Sequence, residues 1–285
     1  MLLIFGGNWL LKAAVALSLK LNIPKIVIGM TVVSFATSAP ELIVSLKAAL
    51  NGAPDLALGN VIGSNIANLG LVLGITLLFG AMEVQKSFYK TDWPVMMLAS
   101  LLMYLFLVGD QVIVRYEGII LFTLLVLFLV YLLRFQKTVV VDVLPEDKDA
   151  LSVFYMLFYL VIGGVGLWAG SELLVKGAKA MAEDFGVSQR IIAVTVVSVG
   201  TSIPELSASI IAVIKKEKAI SLGNLIGSNI FNILAVLGIT SIVTPVAVAD
   251  LGLLTNDIFW MLGISFLILP FVFLPKRFQL NWKHG

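Results

Sequence analysis

The sequence contains no cysteine, a single histidine and few charged residues. Without cysteine there are no disulfides, no thiolate metal ligands and no cysteine nucleophile. His284 is the second-last residue, and we interpret it as a solvated tail residue. Only 13% of the 285 residues are charged, about half of the roughly 25% usual in soluble proteins. These deficits exclude a soluble domain and a metal site built from histidine and cysteine.

Long apolar runs dominate the chain instead. Hydrophobic residues make up 60% of it, and the mean hydropathy is +1.05. Crossing roughly 30 Å of hydrocarbon takes about 20 apolar residues in a helix. The sequence therefore predicts an all-α polytopic membrane protein. Nine candidate spans lie at residues 1–19, 24–50, 56–80, 93–109, 116–135, 152–183, 188–214, 219–243 and 256–274.

Lysine and arginine are unevenly divided between the two ends of these spans. If the spans alternate in direction, 14 basic residues fall on one side of the membrane and 5 on the other. Cytoplasmic loops carry the excess of such residues. We therefore expect a multi-pass protein of the cell (inner) membrane, with the amino end outside and the central loop cytoplasmic.

An internal duplication links two parts of the chain. Residues 31–76 align with residues 195–240 without a gap, and 25 of the 46 positions are identical. The shared proline, glutamate, asparagine and glycine positions cannot come from an apolar composition bias. Each copy covers two spans and the second copy begins five spans later, so the copies run in opposite directions. This predicts inverted-topology repeats, an architecture typical of secondary transporters.

The duplication also predicts the division of the chain into domains. We expect two five-helix repeats, of which the second is incomplete. Residues 1–135 form the first repeat with spans 1–5, residues 136–151 form a cytoplasmic linker, and residues 152–285 form the second repeat with spans 6–9.

The motifs "TSAPEL" and "TSIPEL" place a glutamate directly after a proline in each copy. Proline cannot donate a hydrogen bond to the carbonyl four residues earlier, so we expect the helices to open at Pro40 and Pro204. A carboxylate inside a membrane span is costly and indicates an ion pathway. We interpret Glu41 and Glu205 as ion ligands. Their duplication disfavours the alternative that they only satisfy each other or nearby donors as packing groups.

The partner motifs "GNVIGSNIAN" and "GNLIGSNIFN" add neutral oxygens. Ser64 and Asn68 are four residues apart and share one helix face, as do Ser228 and Asn232. An all-oxygen site suits hard cations, because Ca²⁺ takes 6–8 oxygen ligands. Two carboxylates neutralise one Ca²⁺, and the same oxygens can hold Na⁺ in turn. For the other asparagines of these motifs, hydrogen bonds between helices or at helix ends are favoured over ion contact: Asn60, Asn65, Asn224 and Asn229.

These four motifs resemble the α-repeats of the calcium/cation antiporter superfamily, nearest to its prokaryotic sodium/calcium exchanger branch. The resemblance is specific over residues 29–79 and 193–243 and weaker elsewhere. It implies ten spans, a central four-ligand ion site, and alternating access by sliding of the first and sixth spans. The implied central ligands are Glu41, Asn68, Glu205 and Asn232. The implied flanking hydroxyls or carbonyls belong to Ser34, Thr37, Ser38, Ser64, Ser198, Thr201, Ser202 and Ser228.

Two departures from the pattern of that superfamily bear on the choice of ion and on the number of spans. Related exchangers often carry aspartate where Asn68 or Asn232 stands, so this site is less negative. The choice between Na⁺ and H⁺ and the stoichiometry therefore stay open, and the potassium-dependent branch is disfavoured. The sequence also stops at "KRFQLNWKHG", where a tenth span would begin, so we expect nine visible spans with the tenth missing.

We predict a secondary active cation antiporter that exports Ca²⁺ in exchange for Na⁺ by alternating access. We expect no enzymatic activity, no cofactor and no nucleic-acid partner; the partners are the lipid bilayer and the transported Ca²⁺ and Na⁺. The alternatives are an H⁺/Ca²⁺ exchanger with a glutamate as proton carrier, and a non-transporting, truncated membrane partner. An intramembrane hydrolase is disfavoured because no Ser–His, Ser–Lys or paired-aspartate set accompanies the repeats.

Overall fold

The computed structural model describes residues 1–135, 151–185, 198–274 and 279–280. These residues form ten helices, which we number α1 to α10 in chain order. They are Leu2–Leu21, Lys25–Leu50, Pro54–Phe79, Phe88–Asp110, Arg115–Phe135, Val153–Asp184, Ser198–Thr201, Ile203–Ile214, Lys218–Val243 and Leu253–Phe273.

Eight helices in the described part of the chain are long and apolar enough to cross a membrane. They are α1 to α6, α9 and α10, and each begins and ends within a few residues of a predicted span. The predicted span 188–214 is described only over α7 and α8. The all-α polytopic class is therefore confirmed, and the count of nine spans stays a prediction.

Residues with special backbone preferences end the first helices. After α1, Asn22 adopts a left-handed conformation with a φ of 52°, which asparagine tolerates better than most residues. After α2, Gly52 has a φ of 75°, where a side chain would be strained. Pro54 then begins α3, where its fixed φ suits the first helical turn. These short connections bring α1, α2 and α3 together as consecutive neighbours.

Pro40 does not end its helix, contrary to our expectation. The helix runs unbroken from Ser34 to Leu50, whereas α7 ends before Ser202 and α8 begins after it. Pro204 lies in the first turn of α8, where its missing N–H would have no helical partner in any case. Pro40 lies in mid-helix, and α2 is packed into the protein on most sides, which holds its backbone in place. The two copies thus differ in local structure at equivalent prolines.

Wide helical turns, in which an N–H bonds to the carbonyl five residues earlier, interrupt several helices. Two of them begin at the predicted ligands: Asn68–Val72 in α3 and Asn232–Leu237 in α9. Another, Gly29–Val33, directly precedes Ser34 in α2. Such turns are rare and often occur at functional sites. The duplicated motifs therefore contain an unusual backbone structure at, or directly before, predicted ligands.

Helix α9 lies at the centre of the bundle. In its most apolar stretch 83% of the residues are buried, compared with 67% in α2, 56% in α3 and at most 39% in the other spans. Glycines allow α9 to approach α2 closely, because a Cβ atom at Gly227 would lie 2.6 Å from the Met30 Cα. The duplicated motifs therefore lie on the most enclosed helices.

In the part of the chain that the structure describes, four two-residue strands connect segments that are distant in sequence. Met82–Glu83 (β1) pairs antiparallel with Gln279–Leu280 (β4), and Val112–Ile113 (β2) pairs antiparallel with Val246–Ala247 (β3). The first pair joins the segment after α3 to the segment after α10, and the second joins the segments after α4 and α9. Each pair thus links two connecting segments at the end of the helix bundle.

Candidate ion-binding site

The structure brings the four predicted central ligands into the interior from four different helices. Glu41 comes from α2, Asn68 from α3, Glu205 from α8 and Asn232 from α9, and each is 0% exposed. No lysine or arginine of the described ranges forms a salt bridge with either glutamate. Because a buried charge is costly unless it is paired or bound to a metal ion, the two carboxylates favour a cation between the helices.

Two pairs of hydroxyl groups connect the first motif copy to the second. Thr37 Oγ1 lies 3.4 Å from Ser228 Oγ, and Ser64 Oγ lies 3.3 Å from Thr201 Oγ1. The members of one pair are the duplication counterparts of the other pair. Four of the predicted flanking hydroxyls therefore form two equivalent contacts between the two motif copies.

One hydroxyl contacts a central carboxylate directly. Ser38 Oγ on α2 donates a hydrogen bond to Glu205 Oε1 over 3.4 Å. This contact joins α2 to α8 and orients the Glu205 carboxylate.

The other predicted hydroxyls have different surroundings. The Ser34 hydroxyl has two main-chain carbonyl oxygens within hydrogen-bond distance for its one hydrogen, those of Gly29 at 2.9 Å and Asn224 at 3.1 Å, and the second of these links α2 to α9. The Ser202 hydroxyl is buried in the gap between α7 and α8. The side chain of Ser198 lies outside the described residues. Ser34 thus has a structural contact that the sequence did not specify, while the role of Ser202 as a flanking ligand stays a prediction.

A set of buried oxygens in this region lacks any hydrogen-bond partner among the described residues. A buried polar group without a partner costs about 1–3 kcal/mol, so several of them are unfavourable unless a ligand satisfies them. Six oxygens are of the kind that Ca²⁺ binds. These are Glu41 Oε1 and Oε2, Glu205 Oε2, Asn68 Oδ1, Asn232 Oδ1 and Ser202 Oγ.

An asparagine outside the predicted ligand set orients one of the ligands. Asn232 Nδ2 donates a hydrogen bond to Asn65 Oδ1 over 3.2 Å, so the Asn232 amide oxygen is the atom left for a cation. Asn65 in turn donates to the main-chain carbonyl of Asn229 over 3.4 Å. The prediction of hydrogen bonds between helices is therefore confirmed for Asn65. The sequence carries no signal that would identify which amide atoms pair.

The first asparagine of each partner motif donates a hydrogen bond to a serine that the sequence analysis did not single out. Asn60 Nδ2 donates to Ser45 Oγ at 2.9 Å, and its counterpart Asn224 donates to Ser209 Oγ at 3.3 Å. Asn60 Nδ2 also lies 3.4 Å from the main-chain carbonyl oxygen of Glu41. These asparagines thus link α3 to α2 and α9 to α8, the helices that carry the predicted ligands. The signal that could have found the serines is their identity in both copies.

Comparisons with known proteins show the family of the chain. The chain matches the family of sodium/calcium exchanger proteins over residues 1–134 and 155–285. It is 40% identical to CaxA of Alkalimonas amylolytica over 291 residues, covering 100% of this chain and 91% of CaxA. It is 29% identical to the sodium/calcium exchanger MaX1 of Methanosarcina acetivorans over 312 residues, covering 95% of this chain and 88% of MaX1.

A solved structure shows the same fold. The sodium-calcium exchanger NCX_Mj, soaked with zero Na⁺ and Ca²⁺, superposes with a TM-score of 0.84 at 28% sequence identity, covering 100% of this chain and 90% of that chain. Two of these similar proteins are exchangers by name, and the prediction of a transporter rather than an enzyme is confirmed at the level of the family. The chain is a multi-pass membrane protein and belongs to the sodium/calcium exchanger family.

Proposed function

We propose that this protein is a secondary active antiporter that exports Ca²⁺ in exchange for Na⁺ by alternating access. The observation that carries the proposal is the set of six buried oxygens without hydrogen-bond partners among the described residues, three of which belong to the carboxylates of Glu41 and Glu205. Hard cations bind oxygen ligands in such numbers. The named exchangers MaX1 and NCX_Mj support the same pair of ions.

The charges of the site explain how two ion fluxes are coupled. Glu41 and Glu205 carry two negative charges when ionised, which one Ca²⁺ neutralises and which Na⁺ ions balance in its place. An empty site would expose both charges to a medium of low dielectric constant, where each costs several kcal/mol. The protein therefore changes its access state readily only when cations occupy the site. Competition of Ca²⁺ and Na⁺ for the same oxygens makes the transport an exchange.

We further propose that the two halves are inverted repeats, residues 1–135 and 152–285, joined by the linker 136–151. The recurrence of hydroxyl pairs and wide turns at positions 164 residues apart supports this division. The 14-to-5 distribution of basic residues supports an orientation in the inner membrane with the amino end outside and the central loop cytoplasmic.

The test is uptake of radiolabelled Ca²⁺ into proteoliposomes loaded with Na⁺, compared with liposomes under an imposed pH gradient and no Na⁺ gradient. We expect uptake driven by the Na⁺ gradient and lost in Glu205→Gln. The matched control is Glu172→Gln, because Glu172 lies on α6 with half of its side chain exposed and pairs with Lys176 at 3.2 Å. The control variant should transport as the unmodified protein does.

Other outcomes would overturn the proposal in distinct ways. Uptake driven only by the pH gradient would assign the protein as an H⁺/Ca²⁺ exchanger. Absence of uptake in both arms, from protein that is folded by size-exclusion chromatography, would favour a non-transporting membrane partner. Equal uptake by Glu205→Gln and the unmodified protein would place the ion site elsewhere.

A further inference from the structure

Each duplicated motif contains a main-chain carbonyl that its proline leaves without the usual helical donor. Proline has no N–H to donate to the carbonyl four residues earlier, so Pro40 leaves the carbonyl of Ala36 without this bond, and Pro204 leaves that of Gly200. Ala36 and Gly200 are equivalent positions at the 164-residue offset. Buried main-chain carbonyls are nearly always paired in native proteins, so the donors near these two positions show how each copy compensates for its proline.

The carbonyl of Gly200 obtains its donor from helix α6. Ser171 Oγ donates a hydrogen bond to Gly200 O over 2.7 Å, and Ser171 is only 6% exposed. Val175, one helical turn later on α6, packs against Gly200. The residue after Gly200 is Thr201, whose hydroxyl lies 3.3 Å from Ser64 Oγ at the candidate site. The bond from Ser171 therefore fixes α6 to the short helix α7, which carries a predicted flanking ligand.

The first copy cannot form the equivalent bond. The counterpart of Ser171 is Gly7, which has no side chain to donate, and the nearest contact of Gly7 is with Ile211 of α8. Ala36 lies instead beside Gly164 of α6, where a Cβ atom would be 3.8 Å from the Ala36 carbonyl oxygen. Helix α6 therefore passes both carbonyls but presents a hydroxyl to only one of them.

We propose that Ser171 is a positioning residue for ion exchange, whose hydroxyl stabilises the access state seen in this structure over the opposite one. The inference rests on the proposed function, because it requires two access states. Two inverted copies of one motif allow two such states, in which the copies have exchanged their local conformations. Ala36 would then take the place of Gly200 and face Gly7, which cannot donate. The hydrogen bond thus contributes to one state and has no counterpart in the other.

A pair of equivalent residues reports which state is occupied. Ile220 near the beginning of α9 is 1% exposed and lies beside Leu10 and Leu11 of α1, whereas its counterpart Leu56 on α3 is 58% exposed. An exchange of conformations therefore exposes residue 220. Because the chain contains no cysteine, Ile220→Cys gives a protein with a single thiol. The rate at which this thiol reacts with a water-soluble maleimide follows the population of the opposite state.

The experiment measures the rate of maleimide labelling of Ile220→Cys in the detergent-purified full chain, with Ser171 intact and with Ser171→Ala. Loss of one neutral hydrogen bond shifts such an equilibrium roughly fivefold, so we expect labelling to be roughly fivefold faster in Ser171→Ala. Ser171→Thr keeps the hydroxyl and should label at the original rate. Size-exclusion chromatography verifies that each variant is folded.

The matched control is Ser100→Ala, which removes a buried hydroxyl that donates to the Met96 carbonyl within α4 at 2.9 Å. It should leave the labelling rate unchanged. Equal rates with Ser171→Ala and with Ser171 intact would overturn the proposal, and so would equal acceleration by Ser171→Ala and Ser100→Ala. Absence of Na⁺/Ca²⁺ exchange in the proteoliposomes would instead overturn the proposed function, because the labelling rate does not depend on which ion is carried.

Discussion

Neutralising one central glutamate should weaken Ca²⁺ binding far more than Na⁺ binding. In Glu205→Gln the side chain keeps its shape and can still accept the hydrogen bond from Ser38, but one negative charge is lost from a fully buried site. Removing one partner from a buried charge pair costs about 3–5 kcal/mol. If the lost charge weakens the binding free energy of Na⁺ by about 3 kcal/mol, the affinity for Na⁺ falls roughly a hundredfold.

For Ca²⁺ the same loss of charge acts on an ion of twice the charge. Coulomb energy is proportional to ion charge, so the cost is about 6 kcal/mol and the affinity falls roughly ten-thousandfold. The ratio of the two energies is two whatever the local dielectric constant. Isothermal titration calorimetry of both ions on the variant and on Glu172→Gln measures this ratio. Equal energetic losses for Na⁺ and Ca²⁺ would refute the idea that Glu205 acts through its charge on a shared site.

Two further changes test the packing around the site. Asn65→Leu removes the acceptor of Asn232 Nδ2, and we expect about a tenfold loss of Ca²⁺ affinity by calorimetry; unchanged affinity would show that this bond does not orient the ligand. Gly227→Ala places a Cβ 2.6 Å from the Met30 Cα, and the overpacking should lower stability by about 1–3 kcal/mol in thermal denaturation. Its control, Gly263→Ala, adds a methyl group into open space and should not lower the melting temperature.

The spans and the burial of four polar residues could be predicted because both leave strong signals in the sequence. Apolar runs long enough to cross hydrocarbon give the ends of α2 and α9 to within two residues. Glutamates and asparagines that recur at one offset in apolar surroundings indicate a buried polar site, and all four central ligands are buried. Their role in binding ions stays a prediction until a cation is measured at the site.

Tertiary contacts decide the features that the sequence did not predict. The same proline lies in an unbroken helix at Pro40 and in the first turn of a new helix at Pro204, because the surroundings of the two segments differ. The partner of each amide depends on side-chain rotamers and on the distance between α3 and α9.

The amide contact between α3 and α9 occurs on one side only, although both motifs contain the residues for it. Asn232 bonds to Asn65, whereas the counterparts that would form the reciprocal bond, Asn68 Nδ2 and Asn229 Oδ1, have no partners among the described residues. One set of residues thus occupies two local conformations in a single molecule. Because either copy contains the groups for either conformation, side-chain identity at these four positions favours neither. The energetic preference between the two arrangements is therefore determined by the positions at which the copies have diverged.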